Sequence, residues 1–315
     1  MSITELVAAA AQAPSSHNTQ PWRWVASPDE TRIELHADRR LALPVNDPRG
    51  RELVISCGAA LFALRVAAAH AGTGAVVVPF PDDDPDHLAT VHLTGAPGDE
   101  GALYGALAAR HTHHGAFASA SVPPMVLAAL RAAAQAEGAC LHVMDALQRD
   151  SVAGLVSEAD RVLWCDRAWR RELARWFRIR RGGDGLPVSV AALVPTRFVI
   201  AHLDLGRRLG AMDARLVEEA PAVVVLATHE DEPEDWLRAG QALERVLLVA
   251  DRAGLSAAFE NQPCEASPAM RARLAAVLHG HVPQMVARIG PTEPARPTPR
   301  RPVRVSEGRG APAPR

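Results

Sequence analysis

Lysine is missing from the chain: all 34 basic side chains among its 315 residues are arginine. That excludes Schiff-base catalysis on a lysine amine and leaves guanidinium forks as the groups for holding phosphate. Cysteine is scarce. The four thiols, Cys57, Cys140, Cys165 and Cys264, form no C-x-x-C pair, so the spacing suggests neither a zinc site nor a disulfide framework. Buried thiols in a reducing compartment are expected instead. No basic segment precedes an apolar run at the N-terminus and no stretch is read as reaching transmembrane length, so the chain is expected to be cytoplasmic. A formal net charge of −2 gives no reason to expect nucleic acid or an anionic membrane as a partner. What is plentiful is apolar: 48% of the residues, enough to core one large domain or two ordinary ones.

Periodicity predicts mixed helices and short strands. A short Ala-rich helix over 4–12 ends before Pro14, and the alternation of Ile33 and Leu35 with Glu34 and His36 predicts a strand over 31–37. Leu53, Cys57, Ala60, Leu61, Leu64 and Ala68 form one stripe of a strong helix over 51–71, with Gly72 as its stop. Strands follow at 75–80 and 90–93. A second series reads helix 124–137, strand 139–144, helix through most of 148–176, strand 222–228, helix 235–253 and strand 284–289. The class is α+β. The halves echo each other: Gly58-x-Ala60-Leu61 … Ala68 … Ala71-Gly72 … Pro81 has the spacing of Gly240-x-Ala242-Leu243 … Ala250 … Ala253-Gly254 … Pro263.

Between the first helix and the next strand lies Ala13-Pro14-Ser15-Ser16-His17-Asn18-Thr19-Gln20-Pro21-Trp22. Its uncharged amides and hydroxyls suit the edge of a planar heteroaromatic ligand. The order A-P-S-S-x-N-T-Q-P-W resembles the flavin-ring motif of the nitroreductase family, FMN-dependent oxidoreductases. The resemblance implies that Ser16 and Asn18 approach the isoalloxazine ring, with Ser15 and Gln20 as neighbours. Family members are homodimers with FMN at the interface, so a chain of two degenerate copies is expected to be such a dimer fused into one polypeptide. The expected division is a first nitroreductase-like half over 1–100, a second over 101–306 with a lid-like insertion near 160–200, and a disordered tail over 307–315.

The family's phosphate-binding segment, R-x-S-x-[RK]-x-F, is similar to Arg110-His111-Thr112-His113-His114-Gly115-Ala116-Phe117. Arg110 and Thr112 would contact phosphate and His114 would stand near the ring, although one extra residue precedes Phe117. His111, His113 and His114 have no acidic or thiolate partner at local spacing, and no metal is expected there. The arm Arg296-Pro297-Thr298-Pro299-Arg300-Arg301-Pro302 resembles the family's Pro-rich ending, which makes Arg300 and Arg301 phosphate candidates. Glu260, Asn261 and Gln262 fall where the family places residues over the flavin.

The segment 161–181 interleaves eight arginines with Trp164, Trp169 and Trp176, and its Trp face is expected to pack on the body over the flavin cleft. A two-copy chain with such an insertion most resembles the divergent, actinobacterial Acg-like branch. By resemblance the chain is an enzyme that passes hydride from NAD(P)H through FMN to a nitroaromatic, quinone or similar acceptor, with no side-chain nucleophile. The alternative is a non-catalytic protein that stores FMN behind a closed cleft. Expected partners are a small-molecule electron acceptor and at most a weak second copy of the chain, with no nucleic acid and no membrane.

Overall fold

The computed structural model describes residues 1–292 and 297–307. Arg296 of the arm and residues 308–315 of the expected tail lie outside the described residues.

Helix α1 (Ile3–Ala10) starts at Ser2, whose hydroxyl accepts from the Glu5 N–H while the Glu5 carboxylate takes the Ser2 N–H. It stops at Ala10, before Pro14. Strands β1 (Trp22–Ala26) and β2 (Arg32–Ala37) follow, then α2 (Arg51–His70), β3 (Ala75–Pro79) and β4 (His87–Leu93). The second series holds α3 (Tyr104–Ala109), α4 (Pro124–Ala136), β5 (Cys140–Val143), α5 (Ala146–Cys165) and α6 (Arg167–Trp176). Short strands β6 (Phe177–Ile179) and β7 (Leu186–Val188) lead to α7 (Val190–His202), α8 (Gly206–Glu218), β8 (Ala222–Thr228) and α9 (Pro233–Arg252). The series closes with β9 (Leu255–Phe259), α10 (Gln262–Glu265), α11 (Pro268–Val277), β10 (Val282–Pro291) and β11 (Val305–Glu307).

The strands make two main sheets, ordered β11-β1-β2-β4-β3 and β5-β8-β10-β9, and a two-stranded ribbon, β6-β7. One core cluster runs from Ile3 through α2 and α9 to Ile289, so both halves share it. A second cluster fills the other face of the second sheet beneath α5 and α11.

The sequence echo has a physical basis here. Helices α2 and α9 cross where Gly58 meets Gly240. A methyl group on Gly240 would lie 2.1 Å from the Ile55 carbonyl oxygen, and one on Gly58 would lie 2.3 Å from that of Leu237. Only glycine permits so close an approach. The repeated glycine therefore marks the contact between the two copies, as a fused pseudo-dimer requires.

Four expectations need correction. Helix α2 is long and apolar enough to cross a membrane, but 83% of its apolar window is buried, as in a core helix. Glu307 is not tail: it pairs with Ala26 in β11, so the first sheet takes its edge strand from the far end of the chain. Of the four cysteines only Cys57 and Cys264 are buried; Cys165 is exposed and Cys140 half-buried. The helical stretch over 148–176 breaks at Asp166, whose carboxylate caps α6.

Candidate functional site

The polar motif forms a tight turn after α1. His17, Asn18 and Gln20 all hold positive φ, at 50°, 55° and 51°, a region that asparagine and histidine tolerate better than glutamine. Ser15 Oγ accepts from the Gln20 N–H at 2.9 Å and locks the turn. Ser16 Oγ donates to Glu52 Oε2 at 2.5 Å.

Asn18 and Gln20 do not present free edges, as the ligand expectation would have them. Asn18 Nδ2 donates to Gly185 O (3.3 Å) and Pro299 O (3.1 Å), and its Oδ1 accepts from Arg300 (3.3 Å). Gln20 Nε2 donates to Gly183 O at 2.8 Å while its Oε1 accepts from the Arg301 N–H at 2.9 Å. These amides clamp the 183–185 loop and the C-terminal arm onto the motif. Trp169 Nε1 donates to Asn46 Oδ1 at 2.6 Å, and the Glu172 carboxylate takes the N–H groups of Val45 and Asn46. The Trp face of the insertion thus packs on the body, as the periodicity implied.

Arg110 and Arg300 come together. Arg110 donates to Gln12 O at 3.1 Å and Arg300 to the same oxygen at 2.7 Å, with further Arg300 bonds to Ala11 O and Ala13 O. The carbonyls of Ala11, Gln12 and Ala13, just past the C-terminus of α1, make this spot tolerable for cations. Its counter-charge is incomplete: Glu244 Oε2 is 3.8 Å from Arg110 Nε, beyond hydrogen-bond reach. Arg110 Nε is buried with no hydrogen-bond partner. Burial and the nearby Arg110 push Arg300 down to about 10, so it stays charged at neutral pH. Arg110 Nε is the orphaned donor, whereas the Arg300 donors are taken by Asn18 Oδ1 and backbone carbonyls, so a dianionic phosphate fits this pair by replacing some of those bonds.

Arg301 stands apart from this pair. Its guanidinium pairs with Asp184 and donates to Thr19 O at 2.9 Å, which fastens the arm to the 183–185 loop. Thr112 sits in an isolated parallel bridge to Ala257 beside β9, and His114 is exposed. Gln262 Nε2 reaches Asp213 at 3.4 Å. Glu260 accepts from Arg288 Nε at 2.6 Å, and Arg288 also donates to Gly115 O. Separate strings of contacts join some of the candidates. Ser16 reaches Glu52, whose carboxylate interacts with Glu265 of α10, while Gln262 and Arg288 both reach Glu260, and Arg288 also holds Gly115 O.

Sequence reading missed the carboxylates Glu52, Glu244, Glu265 and Asp160, but singled out Glu260. Burial and the adjacent Glu52 carboxylate hold Glu265 well above the usual carboxyl range, and burial pushes Glu260 up to about 7. Asp160 rises to about 8 for the same reason, next to Asp213. A usable signal existed at Glu244, one helical turn after Gly240 on the face of α9 that must be buried.

Glu244 gives a pH prediction. Burial raises it to about 7 from 4.5, against the pull of Arg110 and Arg300. The folded state then binds the extra proton, so this group's effect is to lower stability as pH rises through that window. The loss from pH 4.5 to 7 is at most about 3 kcal/mol. Thermal melts of Glu244→Gln should show a flatter decline over that window than the parent protein. An unchanged slope would mean that Glu244 is already ionised in the folded state.

No family model matches the chain. The Mycobacterium tuberculosis (strain H37Rv) protein named "Putative NAD(P)H nitroreductase Rv3131" is 34% identical over 309 residues, covering 95% of this chain and 89% of its own length. The protein of the same strain named "Putative NAD(P)H nitroreductase acg" is 32% identical over 320 residues, covering 96% and 93%. Among solved structures, the FMN-dependent nitroreductase NfnB from Mycobacterium smegmatis in complex with NADPH covers 62% of this chain and 90% of its own, at TM-score 0.41 and 16% identity.

Proposed function

This chain belongs to the nitroreductase family, in the group that holds the mycobacterial Rv3131 and Acg proteins, and on that premise we propose that it is an FMN-binding oxidoreductase taking electrons from NAD(P)H and giving them to a nitroaromatic, a quinone or a similar small acceptor. When bound, FMN supplies the redox chemistry by taking up a hydride and handing it on. The observation that carries the reading is the convergence of Arg110 and Arg300 on Gln12 O. Those two guanidinium groups hold the phosphate, with the Thr112 hydroxyl two residues along from Arg110. Ser16 positions the ring edge, and its hydroxyl proton is held on Glu52 Oε2. Burial and the neighbouring Glu52 hold Glu265 well above the usual carboxyl range, which favours its protonated form. The division into a half over 1–100 with the ring motif, a half over 101–306 with Arg110, and a lid over about 160–200 belongs to the same reading. Two copies in one chain make a monomer sufficient, in a reducing cytoplasmic setting.

A second reading, an FMN-storing protein, is favoured by the 183–185 loop, which occupies the amides of Asn18 and Gln20. One measurement separates the two: the visible spectrum of the purified protein loaded with FMN, before and after NADPH is added without oxygen. Bleaching within minutes marks the oxidoreductase. A spectrum that stays yellow with both NADH and NADPH marks the storage protein. Failure to take up FMN sinks both.

A further inference from the structure

We propose that the open end of the second sheet is a binding site for a borderline-soft divalent cation of the Zn²⁺ type, built from Cys140, His229 and His281, with the fourth position open to solvent. Three neighbouring strands bring these residues together. Cys140 begins β5 and His142 lies on the same side of that strand two residues on. His229 directly follows β8 and His281 directly precedes β10, and the β8–β10 register pairs Val282 with Thr228, so the two histidines stand opposite each other. The ligand atoms of Cys140, His229 and His281 all lie within 4.8 Å of one another. Cys140 Sγ is 3.9 Å from His281 Nε2, close to the edge of a tetrahedral zinc polyhedron with roughly 2.3 Å Zn–S and 2.1 Å Zn–N bonds.

The tautomer is already set for metal. His281 Nδ1 donates to Leu278 O at 3.3 Å, which leaves Nε2 bare and turned to the thiol. A backbone carbonyl on the far ring nitrogen is the usual outer support of a metal-bound histidine. The His142 ring stands 5.0 Å from that of His281, and its Nε2 is buried with no hydrogen-bond partner. The His229 ring meets His281 edge-on at 4.9 Å and is exposed, so a cation can enter from solvent. Binding exchanges the Cys140 S–H proton, released to solvent, for a metal–thiolate bond, so affinity rises with pH. Thiolate with imidazoles selects Zn²⁺-like ions over Mg²⁺ or Ca²⁺. Another group, Glu34, His36 and His87, lacks this preparation, because both His87 ring nitrogens are engaged, by Asp82 at 2.8 Å and Thr90 at 2.9 Å. No short sequence pattern announces the site, since its ligands come from strands far apart in the chain.

The test is a Co²⁺ titration of the untagged, full-length protein followed by displacement with Zn²⁺. Expected are one equivalent per chain, the visible absorption of tetrahedral cobalt, and a near-ultraviolet thiolate-to-cobalt band that Zn²⁺ abolishes. Cys140→Ser should lose the thiolate band, and His281→Ala should weaken binding by at least about tenfold. Cys165→Ser, which removes the exposed thiol, should change neither. Circular dichroism of each variant separates lost binding from lost fold. A parent protein with no thiolate band, a band that survives Cys140→Ser, or one that vanishes with Cys165→Ser would overturn the proposal.

Discussion

Replacing Arg110 and Arg300 together by methionine is expected to cost most of the affinity for FMN while the protein stays folded. Each charge-assisted bond to a phosphate is worth roughly 1.5–3 kcal/mol. Losing two of them weakens binding on the order of a hundredfold or more. Methionine keeps the apolar stem of the arginines without the guanidinium, so the packing of the stems beside α1 is largely retained, while the carbonyls of Ala11, Gln12 and Ala13 must turn to water. Glu244 is left without its cations, but a carboxyl already held at about 7 answers by keeping its proton. Fluorescence titration of FMN reads the effect, with Arg301→Met as comparison. Because Arg301 is committed to Asp184 and Thr19, its loss should leave phosphate affinity within a few-fold of the parent while loosening the arm. A folded double variant that binds FMN normally, or an Arg301→Met protein that is the weaker binder, would place the phosphate elsewhere.

The second large effect falls on stability. Gly240→Leu should unfold the protein or lower its stability by more than about 3 kcal/mol, the upper part of the range for overpacked cores. The nearest obstacles to a Cβ at Gly240 are backbone atoms, Ile55 O at 2.1 Å and Gly58 Cα at 2.8 Å, which cannot swing aside as a side chain can. Gly58→Leu should behave alike, since Leu237 O stands 2.3 Å away. Gly154 is the control. It lies within α5 with nothing within 4 Å of an added methyl, so Gly154→Ala should be neutral or stabilise by up to about 1 kcal/mol. Chemical denaturation of the three proteins measures this. Equal midpoints would mean that α2 and α9 can separate freely, against their close crossing.

Much of this was readable from the chain because single residues carry the constraint. Apolar periodicity located α2, α4, β8 and α9 to within a residue or two, and the echo around Gly58 and Gly240 pointed to two copies, though not to where their helices cross. Arg110 and Arg300, which meet at Gln12 O, both sit in segments whose residue order resembles the family's. What stayed hidden depends on partners distant in sequence. The amides of Asn18 and Gln20 look like ligand groups until the 183–185 loop and the arm take them. Arg301 looks like Arg300 until Asp184 claims it. Strand β9 is only five residues of small and apolar side chains directly after a helix, too short for alternation to declare it, and β11 becomes a strand only because β1 offers an open edge.

The placement of β11 has a consequence for how the molecule assembles. The contact between Asn18 and Pro299 spans 281 positions, so the arm must close one of the longest loops this chain can make. Such closures cost chain entropy before any contact repays them, and they tend to come late in folding. Arg300 rides on that arm, while Arg110 and α1 belong to the body. The paired guanidinium groups therefore exist only after the final docking event, and partly folded chains offer a phosphate one arginine in place of two. The same strand, held by three residues at a sheet edge, is also where the folded protein will open first. On the proposed reading, undocking the arm would withdraw Arg300 from the phosphate while leaving the two-helix core undisturbed.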